Sequence, residues 1–163
     1  MTRLRARRKA LAVLLALILL AAAAWYTRPV DLYGLGMEEL EAVSVSLQHN
    51  KPGQGVDIVW STGAAPGDSQ WPAILGELES LRFRRPLANL IREYDGSESV
   101  KTEPADRSSV VFHLIDRSGR YMILQIGARH SSYTSLHTSR NLPMSLSGGE
   151  ETVQALARRL PEI

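Results

Sequence analysis

The chain has 163 residues, which is enough for one domain with a modest hydrophobic core. It contains no cysteine, and this excludes disulfides, thiolate catalysis and cysteine-ligated metal sites. The net charge of +2 is unevenly distributed, because six of the 19 basic residues precede the first acidic residue, Asp31, and the remaining 13 face 17 acidic residues, a net of −4. A mildly acidic domain argues against nucleic-acid binding, which needs a basic surface to contact phosphates.

The N-terminus predicts a membrane segment. Residues 1–9 are basic, and an uncharged apolar run follows over residues 10–26. As a helix this run spans ~26 Å, near the lower limit for a bilayer core. The positive-inside rule keeps the basic segment in the cytoplasm, and aromatic rings at the other end suit the headgroup level. We therefore expect a single-pass signal-anchor helix, with anchor residues Arg7, Arg8, Lys9, Trp25 and Tyr26.

A cleaved signal peptide is the alternative for the same segment. Ala22 and Ala24 provide a small-x-small cleavage pattern before Trp25. Against cleavage, almost no polar region follows Leu20, and an aromatic pair would come directly after the cut. No cysteine follows the apolar run, which excludes a lipoprotein anchor. Both alternatives place the remaining residues outside the cytoplasm, either at the cell membrane or secreted after cleavage near Ala24.

Residues 27–37 carry Pro29, Gly34 and Gly36, and we expect a juxtamembrane linker there. Residues 38–163 form the predicted extracytoplasmic domain. AVSVSLQ and VDIVW alternate apolar and polar residues and predict a hairpin, with Val56, Ile58 and Trp60 on one apolar face. A helix follows, capped by Asp68 or Ser69, with a stripe of apolar residues: Trp71, Ile74, Leu75, Leu78 and Leu81.

The clearest hairpin signal is VVFHLI and RYMILQI around a turn at residues 116–119. One face is expected in the core, formed by Val110, Phe112, Leu114, Met122, Leu124 and Ile126. The other face is also apolar, and it is either buried or offered to a partner. Its residues are the candidate partner face: Val111, Ile115, Tyr121 and Ile123.

A final helix is predicted after the capping box that Ser147 and Glu150 form, and Pro161 ends it. Its buried stripe consists of Val153, Leu156, Ala157 and Leu160. The fold class is therefore α+β, with an N-terminal transmembrane helix and an antiparallel sheet of about five or six strands. Two helices are expected to pack mainly on one face of that sheet.

The stretch RHSSYTSLHTSRN carries two histidines and six serine or threonine side chains. On a regular strand His130 and His137 face opposite ways, so they do not share a metal ion or a substrate. No strained elbow motif holds a serine in the outer domain. His113 is expected to be an ordinary sheet histidine. We therefore assign no catalytic, cofactor-binding or metal-binding residue, expect no cofactor, and leave open whether the protein is an enzyme.

One cluster of charge is a candidate anion or partner patch: Arg82, Arg84, Arg85 and Arg92. Arginines on a shared strand face can contact an anionic envelope polymer or lipid headgroups. The alternative is a solvated face whose arginines pair with Glu77, Glu79 and Glu93.

The order of anchor, short hairpin, LGELESLRFRRPL, hairpin and short terminal helix is similar to small uncharacterised membrane-anchored proteins of Gram-positive bacteria. The resemblance implies location and fold, and it implies no activity. The leading hypothesis is a non-catalytic extracytoplasmic module that binds an envelope protein or anionic polymer. The alternatives are an envelope hydrolase that uses His130 or His137 with a nearby serine, and a sensor domain for a small ligand.

Overall fold

Alternating apolar and polar residues form an antiparallel sheet in the computed structural model of the chain. The structure describes residues 2–51, 55–87, 107–127, 131–135, 140–146 and 149–163. The helices are α1 (Thr2–Tyr26), α2 (Trp71–Ser80) and α3 (Gly149–Arg159). The strands are β1 (Leu40–Lys51), β2 (Gly55–Ala64), β3 (Phe83–Arg84), β4 (Arg107–Asp116), β5 (Tyr121–Gly127), β6 (Ser131–Ser135) and β7 (Arg140–Leu146). Short 3₁₀ turns cover Tyr33–Leu35 and Leu160–Glu162.

The seven strands follow the order β2-β1-β4-β5-β6-β7-β3, and each neighbouring pair is antiparallel. The α+β class and the antiparallel sheet are thereby confirmed. Among the described residues the sheet has seven strands instead of the expected five or six, because β7 was not predicted as a strand. The predicted β4–β5 hairpin lies at the centre of the sheet, with two strands on one side and three on the other.

One face of the sheet forms the core. Val45 lies opposite Phe112, which lies opposite Leu124, and the neighbouring rows repeat the pattern. All six hairpin residues predicted for the core are at most 1% exposed. The same cluster contains Ile74 and Leu78 from α2 and Val153 and Leu156 from α3, together with Leu160 just beyond it. α3 lies against β4, β5 and β7.

The segment that was expected to be a linker is part of this core. Val30, Leu32 and Met37 are buried in the main cluster. Val30 also forms a two-way backbone bridge with Phe83, in which each N–H donates to the other carbonyl at 2.8 Å. The prediction was wrong because Pro29, Gly34 and Gly36 resemble a linker in composition, while the three apolar residues between and after them face the core.

Strand β2 departs from the predicted apolar face. Trp60 lies opposite Leu47 and packs against the core, but the register shifts by one residue between Leu47 and Gln48. Ile58 consequently pairs with Gln48 and lies on the other side of the sheet from Trp60. Val56 and Ile58 are 51% and 61% exposed on this edge strand. The expected face shared by Val56, Ile58 and Trp60 was therefore wrong.

Two helix starts were also predicted. The side chain of Asp68 accepts from the N–H of Ala65 at 2.7 Å and closes the turn before α2, so it does not cap the helix. The residue preceding α2 is Gln70, which forms no side-chain cap. Ser147, the predicted cap of α3, lies outside the described residues. The charges of α3 suit its dipole, with Glu150 and Glu151 in the first turn and Arg158 and Arg159 in the last.

Helix α1 projects from the domain. Its window from Lys9 to Tyr26 has a mean hydropathy of 2.1 and is 0% buried within the structure. Among the described residues it is the one helix long and apolar enough to cross a membrane, and a signal sequence has the same two properties.

Removing the predicted linker should destabilise the soluble domain. A chain of residues 38–163 lacks Val30, Leu32 and Met37, whose burial contributes about 2 kcal/mol each. Relative to residues 28–163, we expect the free energy of unfolding to fall by about 4 kcal/mol or more. Urea denaturation followed by tryptophan fluorescence measures the difference. Equal stabilities would show that the segment is dispensable to the domain.

Two glycines provide a matched test of the turn between β4 and β5. Gly119 has a φ of 76°, whereas Gly76 lies within α2, where a methyl group would meet no other atom within 4 Å. Gly119→Ala should lower stability by about 1 kcal/mol because its backbone conformation disfavours a side chain. Gly76→Ala should raise stability by about 0.5–1 kcal/mol, since alanine suits helix interiors. Thermal unfolding of both variants checks the opposite signs.

Candidate functional site

The candidate partner face is a contiguous surface on the side of the sheet that points away from the core. Ile115 lies opposite Tyr121, and Ile123 lies opposite His113 in the next row. Val111 belongs to the following row, opposite Gln125. We call these residues, with His113, the second sheet face. Within the described part of the chain, the core cluster and the residues packed against it do not include them.

The second sheet face is a mixed surface. Val111 is buried, Ile115 is 38% exposed, and the other members are half-buried. Nδ1 of His113 and the hydroxyl of Tyr121 share a hydrogen bond, and their rings stack with centroids 5.9 Å apart. His113 therefore has a partner within the sheet, as predicted for an ordinary sheet histidine. An aromatic and aliphatic surface with a satisfied polar pair has the composition of a protein-binding surface. Its binding role remains a prediction.

The arginine patch lies where the chain leaves α1. Arg82 and Arg84 are exposed on either side of the buried residue Phe83, as expected for arginines that share a strand face. Arg85 is half-buried and donates to the carbonyl of Gly34 at 2.7 Å. Its guanidinium also lies 5.7 Å from the ring centroid of Tyr26, at the end of α1. Arg92 lies outside the described residues.

The expected pairing of these arginines with Glu77 and Glu79 is wrong. Glu77 is paired with Arg159 at 2.7 Å, and the side chain of Glu79 accepts from the hydroxyl of Tyr33 at 2.5 Å. This hydrogen bond, with burial and the carboxylate charge, raises the pKa of Tyr33 to about 12. Arg82 donates only to backbone carbonyls, those of Glu79 at 2.6 Å and Leu81 at 2.9 Å. Glu93 lies outside the described residues.

The predicted anchor residues lie at the two ends of α1. Lys9 is exposed, and Arg7 and Arg8 lie in the first turns of the helix. Trp25 and Tyr26 occupy the last turn, and the guanidinium of Arg28 lies 4.8 Å from the Trp25 ring. This stacking places a positive charge directly beside the aromatic end of the helix.

The residues of the hydrolase hypothesis are only partly described. His130 and His137 lie outside the described residues, so that hypothesis stays a prediction. Strand β6 between them follows the expected alternation, with Ser132 opposite Gln125 and Thr134 opposite Ile123 on the second sheet face. Among the described residues, no three His, Asp or Glu side chains lie together in a way that could hold a metal ion.

A hydrogen-bonded cluster around Asp116, at the turn between β4 and β5, was not predicted from the sequence. Asp116 is fully buried, and it accepts from the hydroxyl of Ser118 at 2.7 Å and from the N–H groups of Ser118 and Arg120 at 3.0 Å. Nε of Arg120 donates to the other carboxylate oxygen at 2.8 Å. Arg120 also pairs with Glu38 at 3.2 Å and so connects the hairpin turn to the start of β1. The turn itself was predicted, and an aspartate at its first position is the signal that could have indicated the cluster, because aspartate side chains accept hydrogen bonds from backbone N–H groups two residues later.

Burial and hydrogen bonding have opposite effects on the pKa of Asp116. Burial would raise the pKa of this carboxyl, but the hydrogen bonds from Ser118 and Arg120 and the Arg120 charge outweigh burial and lower the pKa to about 2. Among the described residues, every hydrogen-bond partner of the Asp116 carboxylate belongs to Ser118 or Arg120. The cluster is therefore a structural clamp on the β4–β5 turn.

Asp116→Asn should remove a pH-dependent part of the stability. The folded pKa lies below the ordinary value of 3.8, so the carboxylate stabilises the fold fully above pH 3.8, and this contribution is lost as pH falls towards about 2. At pH 7 the variant should lose about 2 kcal/mol, and the difference from the parent should vanish near pH 2. Urea unfolding at several pH values measures this.

Asp57→Asn is the matched control for that measurement. Asp57 forms an exposed pair with Lys51, and exposed pairs contribute little to stability. A loss from Asp116→Asn that is the same at every pH, or no larger than that of Asp57→Asn, would contradict the clamp.

Comparison with known proteins adds no family to this description. No protein-family model, curated protein or solved structure matches the chain. The resemblance to membrane-anchored proteins of Gram-positive bacteria therefore stays a prediction. The function has to be inferred from the projecting helix, the second sheet face and the unpaired charges near α1.

Proposed function

We propose that the chain is a single-pass membrane protein whose C-terminal domain is an extracytoplasmic, non-catalytic binding module. The observation that carries this proposal is the apolar helix α1, whose window from Lys9 to Tyr26 is 0% buried within the structure. Leu19 and Leu20 are 69% and 66% exposed. Leaving this much apolar surface in water would be costly, whereas a bilayer accommodates it. The basic residues before it favour a cytoplasmic N-terminus.

The attachment of the helix also supports an anchor. Only three residues separate Tyr26 from Val30, whose backbone is bonded to Phe83 inside the sheet. A signal peptide that is cleaved after Ala24 would leave this junction without a role, although the secreted domain would keep its core. In the proposed arrangement α1 is retained, and the junction holds the domain at the membrane surface.

The second sheet face is the proposed binding surface for a protein partner. We propose that α2 and α3 both cover the core side of the sheet, which leaves this face to the partner. Its aromatic and aliphatic residues around the His113–Tyr121 pair provide apolar area with fixed geometry. Ordered side chains of this kind bind with a small loss of conformational entropy.

Topology is tested first, in cells that express the full chain. The chain has no cysteine, so Thr2→Cys and Val56→Cys each introduce one unique thiol. A membrane-impermeant maleimide should label Val56→Cys in intact cells and Thr2→Cys only after lysis. The protein should resist carbonate extraction and keep its N-terminus by intact mass. A mature chain that begins at Trp25 would overturn the anchor.

Partner binding is tested with a photo-crosslinking amino acid at position 115 of the full-length protein in its membrane. A discrete crosslinked species is expected, and Ile123→Glu should abolish it because a charge enters the apolar surface. Val59 on the edge strand β2 is the matched control, since it is 61% exposed but lies two strands away. Equal crosslinking from positions 115 and 59 would contradict a specific second-face site.

A further inference from the structure

The positive end of the domain lies at the same level as the aromatic end of α1. Arg28 follows Tyr26 by two residues, and its guanidinium stacks on Trp25. Arg85 directly follows β3, and its guanidinium lies over the Tyr26 ring. Tryptophan and tyrosine at the end of a membrane helix occupy the headgroup region. We call Arg28, Arg82, Arg84 and Arg85 the arginine collar.

The rest of the collar is held at this level by backbone bonds. Phe83 is bonded in both directions to Val30, and Val30 lies four residues after Tyr26. Arg82 and Arg84 flank Phe83 and are both exposed. Because strand side chains alternate, they point away from the core while Phe83 points into it. The backbone pairing of Val30 with Phe83 therefore joins the segment that carries Arg82, Arg84 and Arg85 to the point at which α1 enters the domain.

The collar keeps its positive charge. Among the described residues, no carboxylate pairs with any of its four arginines. The hydrogen bonds of Arg82 and Arg85 go to backbone carbonyls, which orient a guanidinium without neutralising it. Two carboxylates that are close to the collar in sequence have other partners: Asp31 accepts from the N–H of Gly34 at 2.8 Å, and Glu79 accepts from the hydroxyl of Tyr33.

We propose that the arginine collar binds the phosphates of anionic lipids in the same membrane that holds α1, and thereby docks the domain against the bilayer in one orientation. This inference rests on the proposed anchor. A guanidinium fits phosphate oxygens with two parallel N–H donors, and it sheds its water readily. Each arginine near an anionic surface contributes about 1 kcal/mol, which corresponds to about a fivefold change in the docked-to-undocked ratio.

The tether favours lipid over a soluble polymer as the source of phosphate. Three residues between Tyr26 and Val30 keep the collar within reach of the headgroups at all times. Binding to the lipid is then intramolecular, and the effective concentration of headgroups at the collar is high. A free polymer would instead lose translational and rotational freedom on binding. The contact should weaken in salt, because its charges are exposed and screened within about 10 Å at 0.1 M salt.

The test uses the full-length protein with Ser80→Cys, reconstituted into vesicles. Ser80 is exposed at the end of α2, two residues before Arg82, and its thiol carries an environment-sensitive fluorophore. Quenching by a lipid-attached quencher reports docking. Quenching should be strong in an equal mixture of phosphatidylcholine and phosphatidylglycerol, weak in phosphatidylcholine alone, and reversed by salt. Equal quenching in both vesicles would overturn the proposal.

Variants assign the effect to the collar. Arg84→Gln should reduce the docked-to-undocked ratio about fivefold, and the double variant Arg84→Gln with Arg85→Gln should reduce it about 25-fold. Arg84→Lys should retain most of the docking because it keeps the charge. Lys51→Gln with Arg117→Gln removes the same charge from exposed pairs elsewhere and should leave docking unchanged. An equal loss of docking from this control pair would show a general charge effect and contradict the assignment of docking to the collar. Among the described residues the side chain of Arg84 makes no hydrogen bond or ion pair, so its single variant should fold normally.

Two further outcomes are decisive. If soluble polyphosphate changes the fluorophore signal in phosphatidylcholine vesicles as strongly as phosphatidylglycerol does, the collar binds anionic polymer and the lipid assignment fails. Carbonate extraction of the same vesicles separates the anchor from the docking. A protein that is extracted contradicts the proposed function, whereas a protein that stays inserted without docking contradicts the collar alone.

Discussion

The structure depends on the two backbone hydrogen bonds between Val30 and Phe83. They join the exit of α1 to the shortest strand of the sheet, and β3 in turn pairs with β7. Without them, residues 27–39 would connect α1 to β1 with more freedom to reorient. With them, only a few residues after Tyr26 remain outside the sheet. Burial of Leu32 and Met37 reinforces the bridge, so the segment that follows α1 is held by the core itself.

The sheet separates two kinds of surface because its central hairpin is apolar on both sides. Phe112 and Leu124 face the core, while Ile115, Tyr121 and Ile123 face the opposite direction. If one side of the hairpin were polar, the outer surface of the sheet would be fully solvated. Because both sides are apolar, that surface is half-buried. The clamp around Asp116 sets the turn that keeps the two hairpin strands in register. A loss of register by one residue would exchange the two surfaces.

Periodicity predicted the elements that long-range contacts do not alter. The alternation in VVFHLI and RYMILQI gave the correct core face, and the stripe at Ile74 and Leu78 gave the buried side of α2. The errors have physical causes. Trp60 and Ile58 were assigned to one face because a local pattern contains no information about a register shift. Val30 and Leu32 were assigned to a linker because proline and glycine nearby outweighed two isolated apolar residues. Three members of the arginine collar were named from the sequence and Arg28 was not, because its position beside the others follows only from the pairing of Val30 with Phe83.

Charge distribution explains why total charge is a poor guide to the partners of this domain. Residues 31–163 carry a net of −4, which by itself would repel an anionic surface. Arg82, Arg84 and Arg85 are three of the 13 basic residues in this range, and without them 10 basic residues would face 17 acidic ones. Three of these basic residues therefore follow one another closely beside the end of α1, in a part of the chain that is negative in total. In an anionic membrane, attraction at the collar and repulsion of the remainder act in the same rotational sense. Both would turn the collar towards the headgroups and direct the rest of the sheet away from the bilayer, where a partner can reach it.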